Sequence, residues 1–344
     1  MTIKDRIKIL AEVGEIFHNI YHEDFPNDFP GYESIFHHNT WFTSKNVKYT
    51  LQEWSKQLTE KNIQQWLSPY NISNNYQSNV KLGIIMAGNI PFVGLHDFVC
   101  GYILGTKLRI KLSSKDTILM KWFIDLLSKH DSELNENIVI YEELLFDFNA
   151  IIATGSNNSN RYFKYYFKSY PSILRHNRSS IAVLTGNESK KELEGLADDI
   201  FTYFGLGCRN VSSLRVPENY DFKMLADAFE KYQDVMNNNK FANNFNYQYT
   251  LIAMNRVLHI NLHNALLLEN PSLHSPVSVL NYKYYSDLKS LNKELDEQIN
   301  DIQCIVSSSE NINSSIDFGQ TQEPSLSDYA DNIDTIEFLL NLQR

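Results

Sequence analysis

Cys208 stands in Gly205-Leu206-Gly207-Cys208-Arg209, between the end of a helical pattern and the start of an apolar run. A cysteine thiolate attacks carbonyl carbon and holds the acyl group as a thioester. The flanking glycines allow unusual backbone angles and close approach of a ligand, and Arg209 beside the thiol would favour the thiolate. The competing reading is that Cys208 is one more small buried apolar residue, the usual state of a cysteine outside a disulfide. Asn89, in Ala87-Gly88-Asn89-Ile90-Pro91, lies between a strand pattern and a helix pattern. An amide N–H there could donate to a developing oxyanion. Equally, Asn before a helix with Pro just inside it is an ordinary cap. Gly155-Ser156-Asn157-Asn158 follows an apolar run and precedes a helical one, the place where backbone N–H groups can hold pyrophosphate. The run is not a GxGxxG dinucleotide fingerprint, because its sixth position is Asn160.

Other candidates carry less. His259 and His263 have i, i+4 spacing on a helix, but no acidic residue completes a zinc motif and no third ligand is evident, so a solvated or hydrogen-bonded pair is expected rather than a metal site. His96-Asp97 could suggest a relay, but a pair within a helix near an apolar face reads better as structural. Cys100 and Cys304 lie inside apolar patterns and read as core.

These residues need elements to hold them. Residues 1–75 read as helices and loops, beginning with an amphipathic helix capped by Thr2. Then apolar runs alternate with helical stretches: strand 80–86, helix 91–104, strand 107–112, helix 117–129, and strands 137–141 and 150–154, with a helical run at 161–166. Strands separated by helices of this length form parallel βαβ units. A second series begins at Ser179, with strand 181–184, helix 189–204, strand 214–216, helices 222–236 and 247–258, and strands 277–284 and 303–306 flanking helix 286–300. The polar run 237–244 reads as a loop, and 333–342 as a short apolar helix. The class expected is α/β with two doubly wound domains. The divisions expected are 1–178, 179–308 and a terminal segment 309–344.

Composition narrows the partners. Of 344 residues, 43% are apolar and 21% charged, the balance of a globular chain. The formal net charge is -10 with no basic run, which argues against nucleic acid. Three cysteines without zinc spacing suggest a reducing compartment, hence a cytoplasmic setting. The apolar stretch 92–105 is interrupted by His96 and Asp97 and is too short for a membrane span.

Several segments together resemble the bacterial acyl-CoA reductases of the LuxC type, in the aldehyde dehydrogenase superfamily. They are residues 83–92, Leu95-His96-Asp97-Phe98, Lys111-Leu112-Ser113-Ser114-Lys115-Asp116, Ala153-Thr154-Gly155-Ser156-Asn157-Asn158 with Arg161-Tyr162-Phe163, and His176-Asn177-Arg178-Ser179-Ser180. Phe204-Gly205-Leu206-Gly207-Cys208-Arg209-Asn210-Val211-Ser212, residues 275–282 and Gly319-Gln320-Thr321-Gln322 complete the set. They run in the family's order from about residue 80 onward.

The resemblance implies a cofactor domain within 1–178, a catalytic domain over 179–308 and an active site in the cleft between them. It places Cys208 as the nucleophile and Asn89 in the oxyanion hole. It places Lys111 at the adenosine ribose or its 2′-phosphate, and Gly155 and Ser156 at the pyrophosphate. The implied activity is reduction of an acyl-CoA, or another acyl thioester, to the aldehyde with NADPH, or with NADH. An acyl-protein ligase as partner and a homo-oligomer are further expectations. Two departures stand out. The stretch Ile173-Leu174-Arg175-His176-Asn177-Arg178 lacks the glutamate with which acid-forming relatives activate water, and Ser272 falls where a second glutamate would hold the nicotinamide ribose. The chain is also shorter than a typical aldehyde dehydrogenase. Other activities of the superfamily, on aldehydes or acyl-phosphates, and a non-catalytic acyl-carrying subunit are the alternatives.

Overall fold

The Thr2 hydroxyl accepts the Asp5 N–H while the Asp5 carboxylate accepts the Thr2 N–H, and this reciprocal cap starts the helix Ile3–Tyr21. Leu10, Val13, Phe17 and Ile20 form its fully buried face. Helices Tyr32–His38, Ser44–Gln57 and Glu60–Leu67 follow. The structure, a computed structural model, describes residues 1–342. It divides into two units, Met1–His176 with the chain from Ser325 onward, and Asn177–Pro324. The terminal segment read as one piece from 309 is thus split at Pro324. Among the described residues no helix is long and apolar enough to cross a membrane.

In the first unit, β1 (Lys81–Ile85), β2 (Lys107–Lys111), β3 (Ile138–Ile140), β4 (Ala150–Thr154) and β5 (Ser172–Arg175) form one parallel sheet in the order β3-β2-β1-β4-β5. Helices Leu95–Ile103, Thr117–His130 and Asn157–Tyr166 connect them. The order reverses between β1 and β4, and crossovers of the usual right hand to either side would put the helices on opposite faces. Leu82, Ile84, Leu108, Ile110 and Ile152 fill the sheet's interior against Phe98, Phe123 and Leu127. The terminal helix Thr335–Asn341 joins this core through Ile336 and Leu339.

In the second unit, β6 (Ser179–Val183), β7 (Val211–Pro217), β8 (His259–Asn261), β9 (Leu266–Glu269), β10 (Val279–Tyr285), β11 (Ile302–Val306) and β12 (Ser315–Ile316) pair in the order β12-β11-β6-β7-β10-β9-β8. Only β8 and β9 are antiparallel. Ile181, Val183, Leu291, Leu295 and Ile302 make one of its cores. The expected α/β class, with two units built on mainly parallel sheets, is what the chain adopts.

Four local readings are corrected. The polar run 237–244 is not a loop: Asn238 caps the N–H groups of Lys240 and Phe241, and the helix Asn239–Met254 starts there, burying Phe241 and Phe245. His259 and His263 do not share a helix, because His259 opens β8 and His263 lies in the turn after it with φ 70°. The helix read as 189–204 spans Lys190–Phe201, and its following turn is left-handed. The strand read as 214–216 starts earlier, at Val211.

Candidate active site

Cys208 lies exposed on the turn between the helix Lys190–Phe201 and β7. The backbone leading to it is unusual: Tyr203, Phe204 and Gly205 have φ of 55°, 58° and 72° in succession. Glycine adopts such angles freely, but for Tyr203 and Phe204 they cost roughly 1–2 kcal/mol each. Asn210 offsets that cost. Its buried amide Nδ2 donates to the carbonyls of Asp199 at 3.0 Å and Thr202 at 2.9 Å, with a longer contact to Ile200 at 3.4 Å. These are carbonyls that a helix end leaves without an intrahelical partner. Its Oδ1 accepts the Gly207 N–H at 2.8 Å, which closes the turn just ahead of Cys208. Asn210 therefore both stops the helix and shapes the cysteine loop.

Two further ties hold this loop from the other side. The Ser180 hydroxyl, fully buried on β6, donates to the Cys208 carbonyl. Arg209 Nε donates to the Thr321 carbonyl, so its guanidinium is committed to the Gly319-Gln320-Thr321-Gln322 segment. Asp199 grips the same segment, accepting the Gly319 N–H at 2.7 Å, the Thr321 N–H at 3.0 Å and the Thr321 hydroxyl at 2.8 Å. Burial pushes the Asp199 carboxyl up to about 6, against the lowering effect of those three donors.

Asn89, Lys111, Gly155 and Ser156 all lie in the first unit, at the carboxyl ends of the neighbouring strands β1, β2 and β4. Ile85 pairs with both Lys111 and Ala153, which brings these strand ends to one edge of the sheet. Ligands of open parallel sheets bind at this edge, where the strand order reverses. Asn89 is half-buried in the turn after β1. Gly155 is needed where it is, since a Cβ would come within 2.9 Å of both Phe163 and Ser159. Ser156 is the cap of the helix Asn157–Tyr166, its hydroxyl accepting the Ser159 N–H at 3.2 Å. That first turn carries no acidic residue and exposes Ser156, Asn157 and Asn158. An exposed helix start of this kind fits an anionic group such as pyrophosphate. The Lys111 ammonium spans the carbonyls of Glu142, at 3.0 Å, and Glu143, so its three donors are partly spent.

The remaining sequence candidates are structural. His96 bonds the Leu326 carbonyl at 2.8 Å, whereas Asp97 pairs with buried Arg175, so the two do not form a relay. Cys100 and Cys304 are buried. Asn210, Ser180 and Asp199 were not singled out from the sequence, although the first two stand in the quoted segments around Cys208 and Arg178.

This chain has the fold of the aldehyde dehydrogenases. It superimposes on aldehyde dehydrogenase 21 from Physcomitrella patens, solved with the reaction product succinate, with a TM-score of 0.69 at 11% identity over 99% of this chain and 84% of that one. A NAD-dependent benzaldehyde dehydrogenase from Corynebacterium glutamicum gives 0.67 at 10% identity, covering 91% and 78% of the two chains. The NAD+ complex of an aldehyde dehydrogenase from Bacillus cereus gives 0.60 at 12%, covering 91% and 73%. No protein-family model and no curated protein sequence matches the chain.

Proposed function

We propose that this protein is an oxidoreductase that reduces an acyl-CoA to the aldehyde through an acyl thioester on Cys208. The observation that carries this reading is the exposed thiol of Cys208 on a turn fixed by Asn210 and Ser180. A nucleophile held in one geometry avoids much of the entropy cost of bringing the reactants together.

The Cys208 thiolate attacks the carbonyl carbon of the acyl-CoA, and negative charge gathers on the carbonyl oxygen. The Cys208 backbone N–H would donate to that oxygen, and the resemblance implies the Asn89 side-chain N–H as a second donor; each such donor supplies about 3–4 kcal/mol of transition-state stabilisation. CoA thiolate leaves and the acyl group remains on sulfur. A nicotinamide cofactor, when bound, supplies the hydride. Gly155, Ser156 and the exposed helix start would hold its pyrophosphate, and Lys111 its adenosine ribose or a 2′-phosphate, which leans toward NADPH over NADH. The same donors then carry the thiohemiacetal oxygen until the Cys208 thiolate is expelled and the aldehyde departs. An acyl-activating ligase would be a natural source of the acyl group, and a homo-oligomer is compatible with this reading.

The stretch 173–178 favours reduction over hydrolysis. It holds no carboxylate to activate water, and Arg175 within it is a buried ion-pair partner of Asp97. The second reading is oxidation of an aldehyde to the acid, the activity that the neighbours' names suggest. One assay separates them. With acetyl-, octanoyl- or palmitoyl-CoA and reduced cofactor, aldehyde should accumulate with release of CoA. Acid formed from aldehyde, oxidised cofactor and water, without any acyl-CoA reduction, would reject the first reading.

A further inference from the structure

Asp116 stands where a helix cap belongs, yet it does not cap its helix. It immediately precedes the helix Thr117–His130, and its carboxylate accepts no hydrogen bond from that helix's first turn. Instead Oδ2 accepts the Phe92 N–H at 2.8 Å. Aspartate before a helix ordinarily takes the N–H groups of the helix it precedes. Here that stabilisation is given up for a contact to a turn 24 residues earlier. Asp116 is 2% exposed, and Oδ1 has no hydrogen-bond partner among the described residues. A buried carboxylate with one oxygen unsatisfied is costly.

The turn it holds is the one that bears Asn89. Phe92 has φ 56°, a left-handed conformation that is an outlier for a bulky residue. Its ring is buried, stacked on Phe17 at 5.6 Å and edge-on to Phe123 at 6.1 Å. At the other end of the turn, a Cβ on Gly88 would come within 2.4 Å of the Ser113 hydroxyl oxygen and 2.6 Å of the Ser113 Cβ. Residues 113–116 therefore press on the turn at Gly88 and hold it at Phe92, with Asn89 between. The N-terminal segment braces that loop in turn. A ring nitrogen of His38 bonds the Ser114 carbonyl at 2.9 Å, and the Asn39 amide donates to the Lys115 carbonyl at 3.1 Å.

We infer that Asp116 is a positioning residue, which fixes the presentation of Asn89 by holding the Phe92 N–H, with His38 and Asn39 as its brace. This rests on the reading of Asn89 as an oxyanion donor. Burial also pushes the Asp116 carboxyl up to about 8, against the lowering effect of the Phe92 N–H. A neutral carboxyl still offers a carbonyl oxygen to Phe92, so an amide in its place preserves the contact.

The test uses the full chain with octanoyl-CoA and the reduced cofactor. Asp116→Leu should lower kcat by about 10- to 100-fold while the KM for cofactor stays unchanged, and Asp116→Asn should restore most of the activity. In an Asn89→Ala background, Asp116→Leu should add little further loss. Should Asp116→Leu fail to fold, Asp116→Glu, which displaces the carboxylate by one methylene, should show the same fall in kcat at constant KM. If Asn89→Ala is impaired while Asp116→Leu, or Asp116→Glu in its place, keeps full kcat, the inference is overturned and the reading of Asn89 stands. Full additivity of the two variants overturns it as well. If Asn89→Ala itself keeps full kcat, the oxyanion reading falls and the inference with it.

Discussion

The hydroxyl of Ser180 donates to the carbonyl oxygen of Cys208 at 2.9 Å and accepts the N–H of Cys304 at 3.1 Å. One buried side chain on β6 thus ties the cysteine turn to the sheet and satisfies a backbone group of the adjacent strand β11. Ser180→Ala leaves both groups without that partner, and the bond to Cys304 is buried. The variant should lose about 1–3 kcal/mol of stability, read as a lower urea midpoint. An unchanged midpoint would mean that the turn is held by its other ties alone.

Asn210 should matter more. Asn210→Ala removes the acceptor of the Gly207 N–H and the donor to the carbonyls at the end of the helix Lys190–Phe201. A loss of about 2–4 kcal/mol is expected. Asn210→Asp should be at least as damaging although it is isosteric, because it aims carboxylate oxygen at those carbonyl oxygens. Thermal unfolding of the two variants side by side checks the order.

Much of the fold was legible in residue types, and the reasons are physical. Strands buried on both faces of a parallel sheet are near-continuous apolar runs, so β1, β2 and β4 announce themselves in Leu82, Ile84, Leu108, Ile110, Ile151 and Ile152. The placement of Cys208, Asn89 and Gly155 at element ends was legible because each sits where one pattern stops and the next begins. Short elements were not. β5 has four residues and ends in an arginine, and the β8–β9 hairpin presents His259 and Asn261 where an apolar residue would mark a strand. The residues that shape the site were hidden for another reason. Asn210, Ser180 and Asp116 bond to backbone N–H and C=O groups, which every residue carries, so nothing in the partner's identity points to the contact.

The buried Asp199 gives a pH signature. Burial pushes its carboxyl up to about 6 in the folded chain, above the 3.8 of an ordinary aspartate, because a buried site disfavours the charged form. The folded state therefore binds a proton more tightly than the unfolded one, and this group's contribution falls as pH rises through about 6. On lowering the pH from about 7.5 to about 5, the protein should gain about 1.4 kcal/mol relative to Asp199→Asn. Urea titrations of both chains at the two pH values measure it. A parallel response would show that Asp199 titrates normally.

Asn89→Ala should lower kcat with acyl-CoA by about 100- to 1000-fold, the usual effect of losing one oxyanion donor. Cofactor affinity, measured by nicotinamide fluorescence, should stay the same, since the residues proposed to hold the pyrophosphate lie beyond β4, not in the turn after β1. A variant that bound cofactor poorly and kept its kcat would put Asn89 in the wrong role.

The most direct measurement is intact-mass spectrometry of the protein after incubation with octanoyl-CoA and no reduced cofactor. The account predicts a mass increase equal to the acyl group, located by peptide mapping on Cys208 and absent from Cys208→Ala. An unmodified mass, or an adduct on Cys100 or Cys304 that survives in Cys208→Ala, would contradict it.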